Sequence, residues 1–89
     1  MTKEYQTLVR HTADLQSAVK MELITLGAKL ESAELITPEQ YDEVINHYRS
    51  PADRAADLVR FIQNKVKQDP QFYYIFVYDI IKDKKYVLW

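Results

Sequence analysis

Each of the three prolines in this 89-residue chain directly follows a residue that caps helices well. A capping side chain accepts a hydrogen bond from a free N–H of the first turn, and proline suits the first helical position because its missing N–H is not needed there. Three helix starts are therefore predicted, at Thr37-Pro38, Ser50-Pro51 and Asp69-Pro70. Gln40 completes a capping box with Thr37, and Asp53 places a carboxylate at the positive end of the second of these helices.

Apolar residues recur at steps of three and four before and between these starts, as they do along one face of a helix. The pattern predicts helices over about residues 3–19, 21–33 and 51–68, with a helix of about ten residues beginning at Pro38. The chain has only one glycine, Gly27, so the tight turns of β-hairpins, which need residues that tolerate positive φ, are not expected.

Residues 72–78, FYYIFVY, are the ambiguous segment, because an unbroken run of aromatic and β-branched residues also suits a buried strand. We predict a helix, since a capped start precedes the run, a lone strand would have no partner, and helical spacing is kept by Phe72, Ile75, Phe76 and Ile80. Such an apolar helix is expected to be the central one. With a short or truncated last helix after it, the predicted fold is an all-α antiparallel bundle of five to six helices.

Length, cysteine content and charge limit the possible functions. The chain is long enough for one domain over residues 1–89. It has no cysteine, so disulfides and thiolate chemistry are excluded. Its longest apolar run is far shorter than the roughly 20 residues of a membrane span, and the first residues contain no apolar signal core. A net charge of −1 gives no overall attraction to nucleic acid or anionic lipid, so we expect a cytoplasmic protein that binds neither.

No group of residues suggests catalysis, a metal or a cofactor. The two histidines, His11 and His47, lie 36 residues apart and match no metal-binding spacing. One glycine is too few for a phosphate-binding loop, and the acidic residues are not paired with a nucleophile or base. We therefore expect a protein that is not an enzyme, holds no cofactor and works by binding other proteins.

Several segments carry a resemblance to a known family. Residues 32–41 read SAELITPEQY, residues 49–59 read RSPADRAADLV, residues 72–76 read FYYIF, and residues 8–11 read LVRH. In this order, and with short helices around them, they resemble the caspase-recruitment (CARD) branch of the death-fold superfamily over about residues 5–82. Two features depart from the family: Glu34 replaces the glycine usual before the Ile/Leu pair, and the sixth helix is short or absent.

This resemblance implies an antiparallel Greek-key bundle that acts as a homotypic interaction module. The expected partners are another copy of the chain or another CARD-containing protein, such as a caspase, kinase, adaptor or sensor, in apoptotic or innate-immune signalling. It also implies that the first and fourth helices lie on one side of the bundle and the second and third on the other.

Charge is unevenly distributed along the chain. Residues 21–48 contain six acidic residues and one basic residue, a net charge of −5, whereas residues 49–69 have a net charge of +2 and residues 1–20 of +1. Oppositely charged faces would make the molecule complementary to itself from head to tail, which propagates as a ring or filament. The candidate interface residues are Arg10, Arg54 and Arg60 on one, basic side of the molecule and Glu31, Glu39, Asp42 and Glu43 on the opposite side.

Other interpretations remain open at this point. Charges on helices most often simply solvate the outer surface, although arginine, rather than lysine, favours bidentate contact with carboxylates. A helix-turn-helix DNA-binding domain would need a basic recognition helix, but the third helix here is acidic. A stand-alone regulatory or inhibitory subunit in another pathway is the third alternative.

Overall fold

The computed structural model describes residues 2–80 of the chain, with side chains to residue 78. This part is helical and contains no strand. In chain order its elements are α1 Lys3–Arg10, α2 Thr12–Lys20, α3 Leu23–Ser32, α4 Pro38–Val44, α5 Pro51–Gln68, α6 Gln71–Ile75 and a π-helical turn, Phe76–Ile80. The all-helical prediction is therefore confirmed for these residues. The predicted short last helix and the side chain of Ile80 lie outside the described part.

The predicted caps at two helix starts are confirmed. At α4, the Thr37 hydroxyl accepts from the Gln40 N–H at 3.1 Å, and the Gln40 side-chain oxygen accepts from the Thr37 N–H at 2.9 Å, which is a complete capping box. At α5, the Ser50 hydroxyl accepts from the Asp53 N–H at 3.1 Å. The third start differs from the prediction by one residue, because α6 begins at Gln71 with Pro70 at the N-cap position, although the Asp69 carboxylate still accepts from the Gln71 N–H at 3.1 Å.

The helix predicted over residues 3–19 is two helices, because the chain breaks at His11. The Thr12 hydroxyl donates to the Val9 carbonyl at 2.7 Å, which gives this carbonyl a side-chain partner. Gln63 of α5 donates from its amide nitrogen to the Leu8 carbonyl at 3.3 Å and to the Thr12 hydroxyl at 2.8 Å. These contacts stabilise the break by giving the exposed backbone groups side-chain partners.

The turn between α3 and α4 places Glu34 in the left-handed region, with φ of 64°. The Leu35 N–H donates to the Leu30 carbonyl at 2.9 Å, and the Glu34 N–H donates to the Glu31 carbonyl at 3.0 Å. These two bonds form a Schellman motif, in which the residue with positive φ is usually glycine. Leu30 and Leu35 are both buried and supply the apolar contact that accompanies this motif.

The centre of the bundle is α5. All five residues of its predicted apolar stripe are buried, and the helix contacts α1, α2, α3, α4 and α6. The stripe consists of Ala55, Leu58, Val59, Ile62 and Val66. One apolar cluster joins these residues to buried side chains of α1 to α4 and to Phe76 and Val77.

The predicted central position of the last aromatic helix is wrong in part. Phe76 is completely buried, as expected, and the π-helical turn packs on α3. The preceding helix, α6, has no fully buried residue, and Tyr74 is exposed. Its tyrosines lie at the edge of the bundle because α5 already occupies the middle, and because their hydroxyl groups can remain in contact with solvent there.

Candidate interaction surfaces

Three carboxylates share one exposed face of α4, which we call the acidic face: Glu39, Asp42 and Glu43. Residues three and four positions apart are neighbours on a helix surface, so these side chains lie side by side. Like charges at this spacing destabilise a helix by about 0.2 to 0.5 kcal/mol per pair. The helix dipole favours Glu39 in the first turn, but the stability of α4 does not explain Asp42 and Glu43 in the last turn. Glu31 lies in the last turn of α3, which packs against α4, and is half-buried.

Arg10 and Arg60 lie on the side of the bundle where α1 meets α2. Arg10 is exposed in the last turn of α1, where the helix dipole favours a cation. Arg60 is exposed one turn before Gln63, the residue that reaches Leu8 and Thr12 at the break. Both predicted interface residues are thus exposed, Arg10 at the end of α1 and Arg60 one turn from the α5 residue that contacts the α1–α2 break.

Asp57 reduces the net positive charge near Arg60. Its carboxylate accepts from the Arg60 guanidinium at 3.1 Å and forms a second ion pair with Arg49. Asp57 is largely covered, while both arginines retain exposed surface. Arg49 lies just before the Ser50 cap, so this network ties the α4–α5 loop to α5. Arg60 thus has an intramolecular partner as well as an exposed surface.

Arg54 does not share a surface with Arg60. Six helical residues separate them on α5, which turns their side chains about 120° apart and places them about 9 Å apart along the axis. Arg54 is half-buried, and its guanidinium donates to the Val44 carbonyl at the end of α4 at 3.4 Å. Its Nε is buried and has no hydrogen-bond partner in the described part of the chain. Arg54 therefore joins α5 to α4 in addition to presenting a positive charge.

A depression of about 280 Å³ lies beside Arg54, between the end of α2 and the start of α5. It is lined by Lys20, Met21, Ile24 and Pro51 as well as by Arg54. Met21 is 85% exposed and Ile24 is 63% exposed. The apolar pattern with Leu26 and Leu30 predicts Ile24 to be a core residue, but the structure exposes it. The signal that it faces outward is its position, about 100° around the helix from the buried Leu23 and away from Leu26 and Leu30.

A second depression, of about 310 Å³, lies between α1 and the C-terminal aromatic residues. Tyr74 donates from its hydroxyl to the Glu4 carboxylate at 2.8 Å, and its ring is parallel to that of Tyr78, 6.2 Å away. Hydrogen bonds from its own backbone N–H and from Tyr74 lower the pKa of Glu4. The hydrogen bond to Glu4 and the negative charge of that carboxylate raise the pKa of Tyr74, while burial raises the pKa of Tyr73.

The side chains of residues 2–78 include no buried polar or charged residue and no group of three potential metal ligands. His11 lies 3.7 Å from Asp14 on the surface of α2. In the same part of the chain, every helix is too short or too polar to cross a bilayer. What the structure offers for recognition is therefore the acidic face, the separated arginines and the two depressions.

No protein-family model, no curated protein and no solved structure matches this chain.

Proposed function

We propose that this chain is a homotypic protein-interaction module of the CARD kind, with the helix arrangement of a death fold. It acts by binding and not by catalysis, and its partners are another copy of itself or a CARD-containing caspase, kinase, adaptor or sensor. The setting implied by that resemblance is apoptotic or innate-immune signalling.

Local structure in the segments that resemble the family supports this proposal. Glu34 adopts positive φ at the position where the family usually has glycine, which is the residue that adopts this backbone conformation most easily. The helix starts at Thr37 and Ser50, which lie inside the two most specific segments, are both capped. The structure packs α1 and α2 on α5, and α3 on α4, as the resemblance implies, but α5 also packs on α3 and α4.

The observation that carries the proposal is the separation of exposed charge between different helices. The acidic face lies on α4, whereas Arg10 and Arg60 lie on α1 and α5, near their shared junction. Two copies can therefore meet head to tail, with the acidic face of one against the arginines of the next. A contact between different surfaces leaves a free surface at each end, so it continues into a ring or filament.

Sedimentation at increasing protein concentration, at low and high salt, tests this function. The parent chain should assemble, and salt should weaken the assembly because it screens exposed charges. Arg10→Glu and Glu43→Arg should each prevent head-to-tail assembly, and both variants should still fold because the two residues are exposed. Arg10→Glu should lower stability only by the roughly 1 to 2 kcal/mol that reversing a charge at the end of α1 costs. Mixing the two reversed proteins should give a capped dimer, since each supplies one intact surface.

Lys29→Glu is the matched control, because it makes the same charge change at an exposed position of α3 outside the basic surface. It should leave head-to-tail assembly in place. If the parent assembles equally well at all salt concentrations and both reversals leave it intact, the charge argument is wrong. A parent that stays monomeric and binds no CARD-containing protein would instead favour the stand-alone regulatory subunit.

A further inference from the structure

One exposed surface of the bundle plays no part in the head-to-tail contact. We call it the α2–α3 patch: Lys20, Met21, Ile24 and Arg54, around the 280 Å³ depression. Single exposed apolar residues are common on proteins. Here two strongly exposed apolar side chains line the same depression and stand beside two cations. An apolar centre with a charged rim is the composition of a protein-interaction surface.

The charges around the depression leave its rim positive. Lys20 is exposed at the end of α2, and Arg54 contributes a guanidinium from α5. Glu22 also lines the depression, so the two cations exceed the carboxylates of the lining by one charge. A partner that fits this surface has an apolar or aromatic centre with acidic groups next to it.

The chain carries such a complementary feature in its α4–α5 loop. Tyr48 is 89% exposed, the highest value among its large apolar side chains in the described residues. The Asn46 side chain accepts from the Tyr48 N–H at 3.0 Å, and the Tyr48 ring lies 4.7 Å from that of His47, so the loop has a defined conformation. Tyrosine is among the residues that most often anchor protein interfaces. Asp42 and Glu43, in the last turn of α4, supply acidic groups a few residues before it.

The patch and Tyr48 lie at the same end of the bundle, where α5 begins. Tyr48 is two residues before the Ser50 cap, and the depression is lined by Pro51 and Arg54 from the first two turns of α5. When a protruding side chain and a depression lie at one end of a molecule, two copies related by a two-fold axis can each insert that side chain into the depression of the other. Such a contact closes at two copies, unlike the head-to-tail contact.

We infer that two copies of this chain pair end to end, with Tyr48 of each copy seated between Met21 and Ile24 of the other. Asp42 and Glu43 of each copy then face Lys20 and Arg54 of the second. This pairing rests on the proposed function only in that the chain binds itself. It differs in its symmetry and in its use of Tyr48, Met21 and Ile24, but both contacts use Asp42 and Glu43, so the acidic face of one copy serves one of the two contacts at a time.

The test uses the full chain carrying Arg10→Glu, which removes the head-to-tail contact and leaves the end-to-end contact. Sedimentation equilibrium of this variant should show a monomer–dimer equilibrium with no larger species. Adding Tyr48→Ser, or Met21→Ser as a second variant, should weaken the dimer about 30-fold or more, the effect of removing an interface anchor. Both residues are exposed, so circular dichroism melting should be unchanged.

Tyr78→Ser is the matched control, because it removes another exposed tyrosine, one that lines the other depression, beside α1. It should leave the dimer intact. If Arg10→Glu is monomeric while the parent assembles, the end-to-end pair is wrong and the head-to-tail function stands. If Arg10→Glu and the parent are both dimers that Tyr48→Ser dissociates, the pair is right and the head-to-tail function is wrong. If Tyr48→Ser and Met21→Ser have no larger effect than Tyr78→Ser, the assignment of these residues is refuted.

Discussion

Replacing Glu34 by glycine should stabilise the bundle, because Glu34 is a non-glycine residue at φ of 64° in the Schellman motif after α3. The left-handed conformation costs a residue with a Cβ about 1 to 2 kcal/mol. Glycine removes that cost but gains about 0.4 to 1 kcal/mol of entropy in the unfolded chain, which opposes the gain. The net stabilisation is therefore between about 0 and 1.6 kcal/mol, with a central value of about 0.8 kcal/mol. For a domain of this size the central value corresponds to a rise of about 3 to 6 °C in melting temperature.

The substitution also removes a carboxylate from the negative end of the α3 dipole, which is stabilising by itself. Glu34→Ala separates the two effects, because alanine removes the same charge but keeps the Cβ. Urea denaturation of the parent and of both variants, at the same pH and salt, measures the difference. Glu34→Gly should be more stable than Glu34→Ala by about 1 kcal/mol, the part that comes from the backbone. Equal midpoints for the two variants would refute the argument from positive φ.

Three further predictions concern the core, the caps and pH. Phe76→Ala should cost about 3 to 5 kcal/mol because the side chain is completely buried, and a variant that melts like the parent would contradict this packing. Thr37→Ala and Ser50→Ala should each lower stability by about 0.5 to 2 kcal/mol in urea, and unchanged midpoints would remove the caps as a source of stability. The pKa of Glu4 is lowered by its own backbone N–H and by Tyr74, so its contribution to stability should be present above the ordinary value of 4.5 and lost as pH falls through the lower folded-state value. Tyr74→Phe should show less of this acid sensitivity in melting curves recorded over that range, and equal sensitivity would show that the hydrogen bond does not matter.

Features set by neighbours in the chain could be predicted from the sequence. The caps at Thr37 and Ser50 depend on residues three positions away, and α5 has the predicted limits because its apolar stripe and its start are both local signals. The break at His11 could not be predicted, since no proline or glycine marks it. It is stabilised by Gln63, more than 50 residues further along the chain.

The candidate surfaces also contain some features that the sequence predicts and others that it does not. The acidic face follows from helical spacing in α4, and all three of its side chains are exposed. The predicted grouping of Arg54 with Arg60 is wrong, because the sequence does not show which neighbouring helix each side chain faces. The packing of α4 against α5 shows that Arg54 reaches the Val44 carbonyl. Ile24 was predicted to be a core residue because apolar residues in a helical pattern are usually buried. Met21 belongs to no predicted stripe, and only the structure shows that both side chains are exposed beside one depression.

The central position of α5 also determines when the chain can fold during its synthesis. The helices α1 to α4 have between seven and ten residues each, and helices this short are marginal in water without packing. Their buried side chains join a single cluster with α5, whose stripe is complete only at Val66. At roughly 5 to 20 residues per second, a ribosome takes about 3 to 12 seconds to extend the chain from α1 to that residue. For those seconds the apolar side chains of four helices have no core to enter, so they remain available for contacts with other chains until α5 emerges.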